Sequence, residues 1–185
     1  MHNIPAVIFA GGKSSRMGVD KALLPYQTFS TLSAFQHHKL SQIFSTVYMS
    51  AKDNKFEFDC HVIKDIYAQS SPLIGLISAF EAIEVDEIFI LSVDTPLVDS
   101  SIIEKLVLER VKTVDAIIAQ SSDGIQPLCG IYRRSILPIA RSHLSKNNHR
   151  LTSLLKVSNV KYSYFESNTP FTNINTPEEY QKLTL

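Results

Sequence analysis

The sequence predicts an α/β fold: a mostly parallel sheet with helices on both faces. Apolar, β-branched runs of strand length recur, stretches with helical periodicity lie between several of them, and a length of 185 residues suits a single domain, 1–185. Strand alternating with helix means βαβ units and a Rossmann-like arrangement, whose ligands sit beyond the carboxyl ends of the strands.

The elements follow in order. Residues 4–10 are a short apolar run entering glycines, with no basic segment before it and no small-residue cleavage site after it, so a buried strand explains it better than a signal peptide. A helix is expected over 32–43. His37 and His38 fall on its polar face, where adjacent side chains point in different directions, which argues against a metal pair. Strands are expected over 46–50 and 61–63, a helix over 76–83, and a strand over 87–93. Asp99 or Ser100 can cap a helix over 102–111, and a strand over 116–119 runs into a polar turn at 121–124. A helix over 136–144 follows, and Tyr162, Tyr164 and Phe165 alternate as in a strand, which means packing rather than base stacking. Thr176 before Pro177, with Glu178 and Glu179 in the first turn, starts a short last helix. No repeat, low-complexity stretch or linker divides the chain.

With 44% hydrophobic and 19% charged residues the composition is that of a soluble globular protein, and no segment approaches the roughly 20 apolar residues a membrane span requires. Cys60 and Cys129 lie far apart, outside any metal-ligand spacing, and read as reduced, buried or half-buried thiols; a cytoplasmic setting is expected. Eighteen basic and eighteen acidic residues cancel, and no basic run interleaved with aromatics tracks a nucleic-acid backbone. An anionic small ligand remains open, because a few cations and backbone N–H groups can hold phosphates.

Such a site is suggested where the first strand ends, at Phe9 and Ala10. Gly11 and Gly12 follow, letting the backbone approach a ligand closely; by themselves they would make only a plain turn. The loop fails both the P-loop and the dinucleotide glycine patterns. Its far end carries Arg16 and Lys21, a planar fork and a compact charge that could reach a triphosphate folded under the loop. At the end of strand 87–93, Asp94 precedes Thr95 and Pro96, where open α/β sheets bind ligands. One such carboxylate can suffice for Mg²⁺, which is commonly held by one or two carboxylates plus substrate phosphates; the alternative is a turn former. Asp65 is either a second site carboxylate or a solvated turn residue.

The segment AGGKSSRMGVDKALLP resembles the GGxSxRMGxDK signature of the molybdenum cofactor guanylyltransferases, a family within the nucleotidyltransferase superfamily. LSVDTPLV resembles that family's DxP segment, QPLCGIY a segment near the acceptor site, and NINTPEEY its NxNTPED motif; together the similarity spans Val7 to Tyr180. The resemblance implies a nucleotide-diphospho-sugar transferase type of fold. It also implies transfer of GMP from GTP to molybdenum-loaded molybdopterin, with cofactor-delivery proteins and molybdoenzymes as further partners. By it, Phe9, Ala10, Gly11 and Gly12 would lie against guanine and phosphates, Lys21 would contact phosphates, and Asp94 would bind Mg²⁺. Asp65 would touch guanine or ribose, and Asn173 and Asn175 would approach the metal and substrate phosphates. The chain departs at Ser50, where relatives often carry a base-contacting Asn, at Ser71, where a glycine is usual, and in lacking a Gly before the first helix. Two rivals stand: a cytidylyl or uridylyl transferase acting on a cofactor or sugar phosphate, and a non-catalytic protein that binds and delivers the cofactor.

Overall fold

The computed structural model describes residues 1–11 and 18–184. Seven strands form one sheet: β1 (Ala6–Phe9), β2 (Val47–Ala51), β3 (His61–Lys64), β4 (Glu87–Ser92), β5 (Ala116–Ser121), β6 (Gly124–Arg133) and β7 (Val160–Tyr164). Their order is β3-β2-β1-β4-β6-β5-β7. All neighbours are parallel except β6, which runs antiparallel to both β4 and β5. The helices are α1 (Leu32–Ser41), α2 (Pro72–Ala82), α3 (Ser100–Leu108), α4 (Leu137–Ser145), α5 (Leu151–Leu155) and α6 (Pro177–Thr184).

β1 is buried on both faces, which is why it reads as a continuous apolar run rather than an alternating one. Ala6 and Ile8 enter one core with Leu32 and Leu40 of α1 and Ile103 and Leu106 of α3. Val7 and Phe9 enter the other with Leu73 and Leu76 of α2, Ala140 of α4 and Leu154 of α5. The sheet thus separates two cores. From β1 the chain steps to β2 and β3 on one side, while β4 flanks β1 on the other. The β1/β4 border is therefore the topological switch point, and the crevice outside its carboxyl ends is the natural ligand site.

Four elements differ from expectation. β6 was not foreseen, because Pro127 and Gly130 interrupt it and its first half is only partly buried. Gly130 is there for packing: a Cβ would sit 2.4 Å from the Ile117 carbonyl oxygen, beside the register shift at Ile118/Ala119. α2 begins at Pro72 rather than 76, since the Ser71 hydroxyl accepts from Ile74 N at 3.2 Å and Pro72 needs no N–H in the first turn. α3 begins at Ser100 with Asp99 as its cap, the carboxylate accepting from Ile102 N at 3.1 Å. The short α5 carries no start signal beyond its apolar residues. β7 lies at the sheet edge, burying Ser163 and exposing Tyr162 and Tyr164. Cys60 and Cys129 are free thiols, half-buried and buried. Among the described residues no helix is long and apolar enough to cross a membrane.

Candidate active site

The ends of β1, β2 and β4 are laced together, Ala10 N donating to Ser50 O at 2.9 Å and Val93 N to Phe9 O at 3.0 Å. Just past β4, Asp94 turns its carboxylate into the crevice. Ser92 Oγ donates to Asp94 Oδ1 at 2.6 Å, and Lys21 Nζ donates to Asp94 Oδ2 at 3.2 Å and to Asn175 Oδ1 at 2.7 Å. The Lys21 and Asp94 side chains are 15% and 20% exposed, so their attraction is only partly screened by water yet remains open to a ligand.

Each partner is locally anchored. Asp20 caps the 3-10 turn that carries Lys21, accepting from Ala22 N at 3.0 Å, and its other carboxylate oxygen takes the Lys55 ammonium. Lys55 also donates to Ala10 O at 2.8 Å, joining the two ends of the glycine loop. Asn175 sits at a capping box: Glu179 Oε2 accepts from the N–H groups of Asn175 and Thr176, while Glu179 N donates to Thr176 Oγ1 at 3.2 Å. Ile174, fully buried, donates its N–H to Asp94 O at 2.9 Å, pinning the Asn173–Asn175 segment to the Asp94 backbone itself.

Three concavities lie along this side of the sheet, the third of them lined by Asp94. The largest, about 970 Å³, is lined by Gly11, Asp20, Lys52, Lys55, Ser71 and His149 among others. A smaller one of about 160 Å³ opens beside it, with Phe9, Gly11, Ser50, Asp65 and Gly75 in its walls. The third, about 410 Å³, is walled by Asp94, Gln126, Leu128, Arg150, Phe171 and Asn173. Asp94 faces the third, and Ser92 borders both the second and the third. His149, hydrogen-bonded to Ser71 Oγ at 3.0 Å, borders the first and the third.

Sequence expectations and geometry meet in two groups. Phe9, Gly11, Ser50 and Asp65 share the small pocket, where Ser70 Oγ donates to Asp65 Oδ2 at 2.7 Å. Lys21, Asp94 and Asn175 share the polar cluster, and Asn173 lines the third cavity beside Asp94. Ala10 contributes through its backbone. Gly12 and Arg16 lie outside the described residues. Ser50 is 4% exposed, so its hydroxyl has little water to fall back on when a ligand enters. Sequence reasoning missed Ser92, Lys55, His149 and Arg150. Ser92 had a signal, since residues two apart on a strand share a face; the others lie in loops and had none.

Cys129 lines the third cavity, but burial pushes its thiol up to about 12, so it is no thiolate nucleophile. Among the described residues no three His, Cys, Asp or Glu side chains converge as a metal cage. Two hard oxygens, of the Asp94 carboxylate and the Asn175 amide, instead converge on the Lys21 ammonium; with that ammonium turned onto a substrate phosphate, they suit a cation that completes its shell with substrate oxygens.

Residues 6–162 match the MobA-like NTP transferase domain family. A molybdenum cofactor guanylyltransferase of Campylobacter jejuni is 36% identical over 184 residues, covering 98% of this chain and 96% of its own. One from Helicobacter pylori is 30% identical over 187 residues, covering 98% and 88%. Molybdopterin-guanine dinucleotide biosynthesis protein A from Archaeoglobus fulgidus superposes with a TM-score of 0.84 at 19% identity, covering 98% of this chain and 97% of that one, a likeness of fold. Motifs, topology and full-length similarity agree: the chain belongs to the MobA-like NTP transferase family.

Proposed function

We propose that this chain is a molybdenum cofactor guanylyltransferase, moving GMP from GTP to molybdenum-bearing molybdopterin. The observation that carries this reading is the Lys21–Asp94–Asn175 cluster at the switch point, its Asp94 in the wall of the third cavity, with relatives of that activity along the whole chain. A phosphate oxygen of the acceptor forms a bond to the α-phosphorus of GTP, and the bond from that phosphorus to the β-bridging oxygen breaks. Pyrophosphate leaves with the electron pair. The acceptor is already an anion, so the step needs positioning and charge stabilisation rather than a strong base.

The small pocket suits the base: Asp65 supplies carboxylate oxygens for guanine N–H groups, and Phe9 and Gly75 flank the site. The Lys21 ammonium reaches phosphate oxygens, and Arg16 would join it there. The third cavity suits the acceptor, with Gln126, Arg150 and Asn173 offering polar groups beside Asp94. Asp94 and Asn175 would hold Mg²⁺, which when bound neutralises charge on the phosphates. Incubating the protein with each of the four NTPs, Mg²⁺ and molybdopterin tests the reading, pyrophosphate being expected with GTP. Release with CTP or UTP in its place moves the assignment to the corresponding transferase; binding with no release under any of them makes the chain a carrier.

A further inference from the structure

We propose that Gln36 and Lys39 of α1 are positioning residues for Asp94, holding the turn that carries it by its carbonyl oxygens. The inference rests on the reading of Asp94 as a metal ligand. Once β4 ends at Ser92, the backbone carbonyls beyond it lose their ladder partners and need other donors. α1 supplies them from one face, at positions three apart. Gln36 Nε2 donates to Ser92 O at 3.3 Å and to Val93 O at 3.2 Å, just before Asp94. Lys39 Nζ donates to Pro96 O at 3.0 Å and to Val98 O at 2.7 Å, just after it. Ser92 O also accepts from Thr95 Oγ1 at 2.9 Å, so the α1 donors bear chiefly on the Val93, Pro96 and Val98 carbonyls, while the Ser92 hydroxyl holds Asp94 Oδ1 in front.

Neither polar group is there for stability alone. Gln36 is fully buried, and its Oε1 finds no partner, a loss of about 1–3 kcal/mol for such an atom. Burial pushes the Lys39 ammonium down to about 8, with Asp99 and Cys129 as the facing ionisable groups and the Phe35 ring 5.3 Å away. Apolar residues at 36 and 39 would pack the helix without these costs but would leave the carbonyls on both sides of Asp94 without these donors. A turn released in that way would let the carboxylate wander by more than metal coordination tolerates, and groups that orient a metal ligand typically matter by about 10–100-fold in metal affinity.

The test is amide hydrogen exchange over residues 92–98, together with Mn²⁺ binding read by electron paramagnetic resonance with GTP present. Lys39→Met should speed exchange in that segment while leaving β1 and β2 protected, and should weaken Mn²⁺ binding by about tenfold. Lys39→Arg, which keeps charged donors, should restore much of both. If Lys39→Met does not fold, Gln36→Leu is read by the same two measurements with the same expected directions. Wild-type exchange at 92–98, or faster exchange spread over the whole sheet with unchanged Mn²⁺ affinity, overturns the proposal. Asp94→Asn runs in parallel. If it loses Mn²⁺ while the α1 variants bind normally, the positioning role alone is wrong; if it binds Mn²⁺ like wild type, the metal-ligand reading is wrong and the positioning role falls with it.

Discussion

Asp94→Asn separates chemistry from architecture at a single atom. The amide keeps the shape of the side chain and can still accept from Ser92 Oγ, now 2.6 Å from Oδ1, but it removes the charge opposite Lys21 Nζ at 3.2 Å. Lys21 retains its bond to Asn175 Oδ1 at 2.7 Å, so the fold loses one charge-assisted contact between largely buried groups, about 1.5–3 kcal/mol. At about 2.1 cal/mol/K per residue, 185 residues give an unfolding entropy of about 0.4 kcal/mol/K and hence a fall in Tm of about 4–8 °C. Such a protein stays folded at 25 °C. Its kcat/KM should nevertheless drop at least about a hundredfold, equivalent to about 2.7 kcal/mol of transition-state stabilisation. Pyrophosphate release measured against Mg²⁺ concentration, beside a thermal melt, gives both numbers. Turnover within about threefold of wild type at limiting Mg²⁺ would refute the reasoning, as would an activity loss that merely follows the unfolded fraction.

Lys21→Ala should lower turnover more than it raises the GTP dissociation constant if its phosphate contact tightens in the transition state; unchanged values of both would return Lys21 to a structural role. With GTP and CTP competing for limiting molybdopterin, GTP incorporation should exceed CTP by at least about tenfold, and Gly12→Ala should narrow the ratio; mass spectrometry of the dinucleotides reads it, and equal incorporation rejects guanine selectivity. Lys39 is held near pH 8 against an ordinary 10.5, so above about pH 8 the unfolded chain binds more protons than the folded one. Wild type should therefore gain stability over Lys39→Met between about pH 8 and pH 10 and lose that gain as the pH falls back through 8; a melting difference that is flat with pH contradicts this. Gly130→Ala, whose methyl would meet Ile117 O at 2.4 Å, should cost about 1–3 kcal/mol, and a Tm unchanged within about 1 °C would show that the strands can part there.

The parallel core of the fold was legible because strands buried on both faces leave long apolar runs: 4–10, 46–50 and 87–93 became β1, β2 and β4 with ends shifted by a residue or two. β6 was not, since a strand inserted antiparallel between two others tolerates Pro127 in its partly buried half and requires Gly130 where strands crowd. The turn at 121–124 was visible as a turn; that it joins a hairpin was not, because Ser-Ser-Asp-Gly fits loops and hairpins alike. In the site, Asp94 could be placed from one rule, a carboxylate at a strand's carboxyl end. Its pairing with Lys21 and the approach of Asn175 join residues 73 and 154 positions apart, which no local pattern encodes.

α1 shows why part of the site stayed hidden. Helical periodicity finds a helix by its apolar stripe, yet α1 buries Ser33 and Gln36 between Leu32 and Leu40 and turns Lys39 toward the turn after β4. Read as a packing surface, Gln36 and Lys39 are errors; read as donors, they reach the backbone carbonyls on either side of Asp94, the carboxylate proposed to bind the metal. A sheet that ends in a ligand crevice must leave such groups unpaired on its far side, and the helix crossing behind it is the nearest source of partners. If the proposed positioning role holds, polar residues on the inward face of that helix mark the candidate site as the carboxylate does, and they do so where sequence reasoning by hydrophobic pattern is least able to see it.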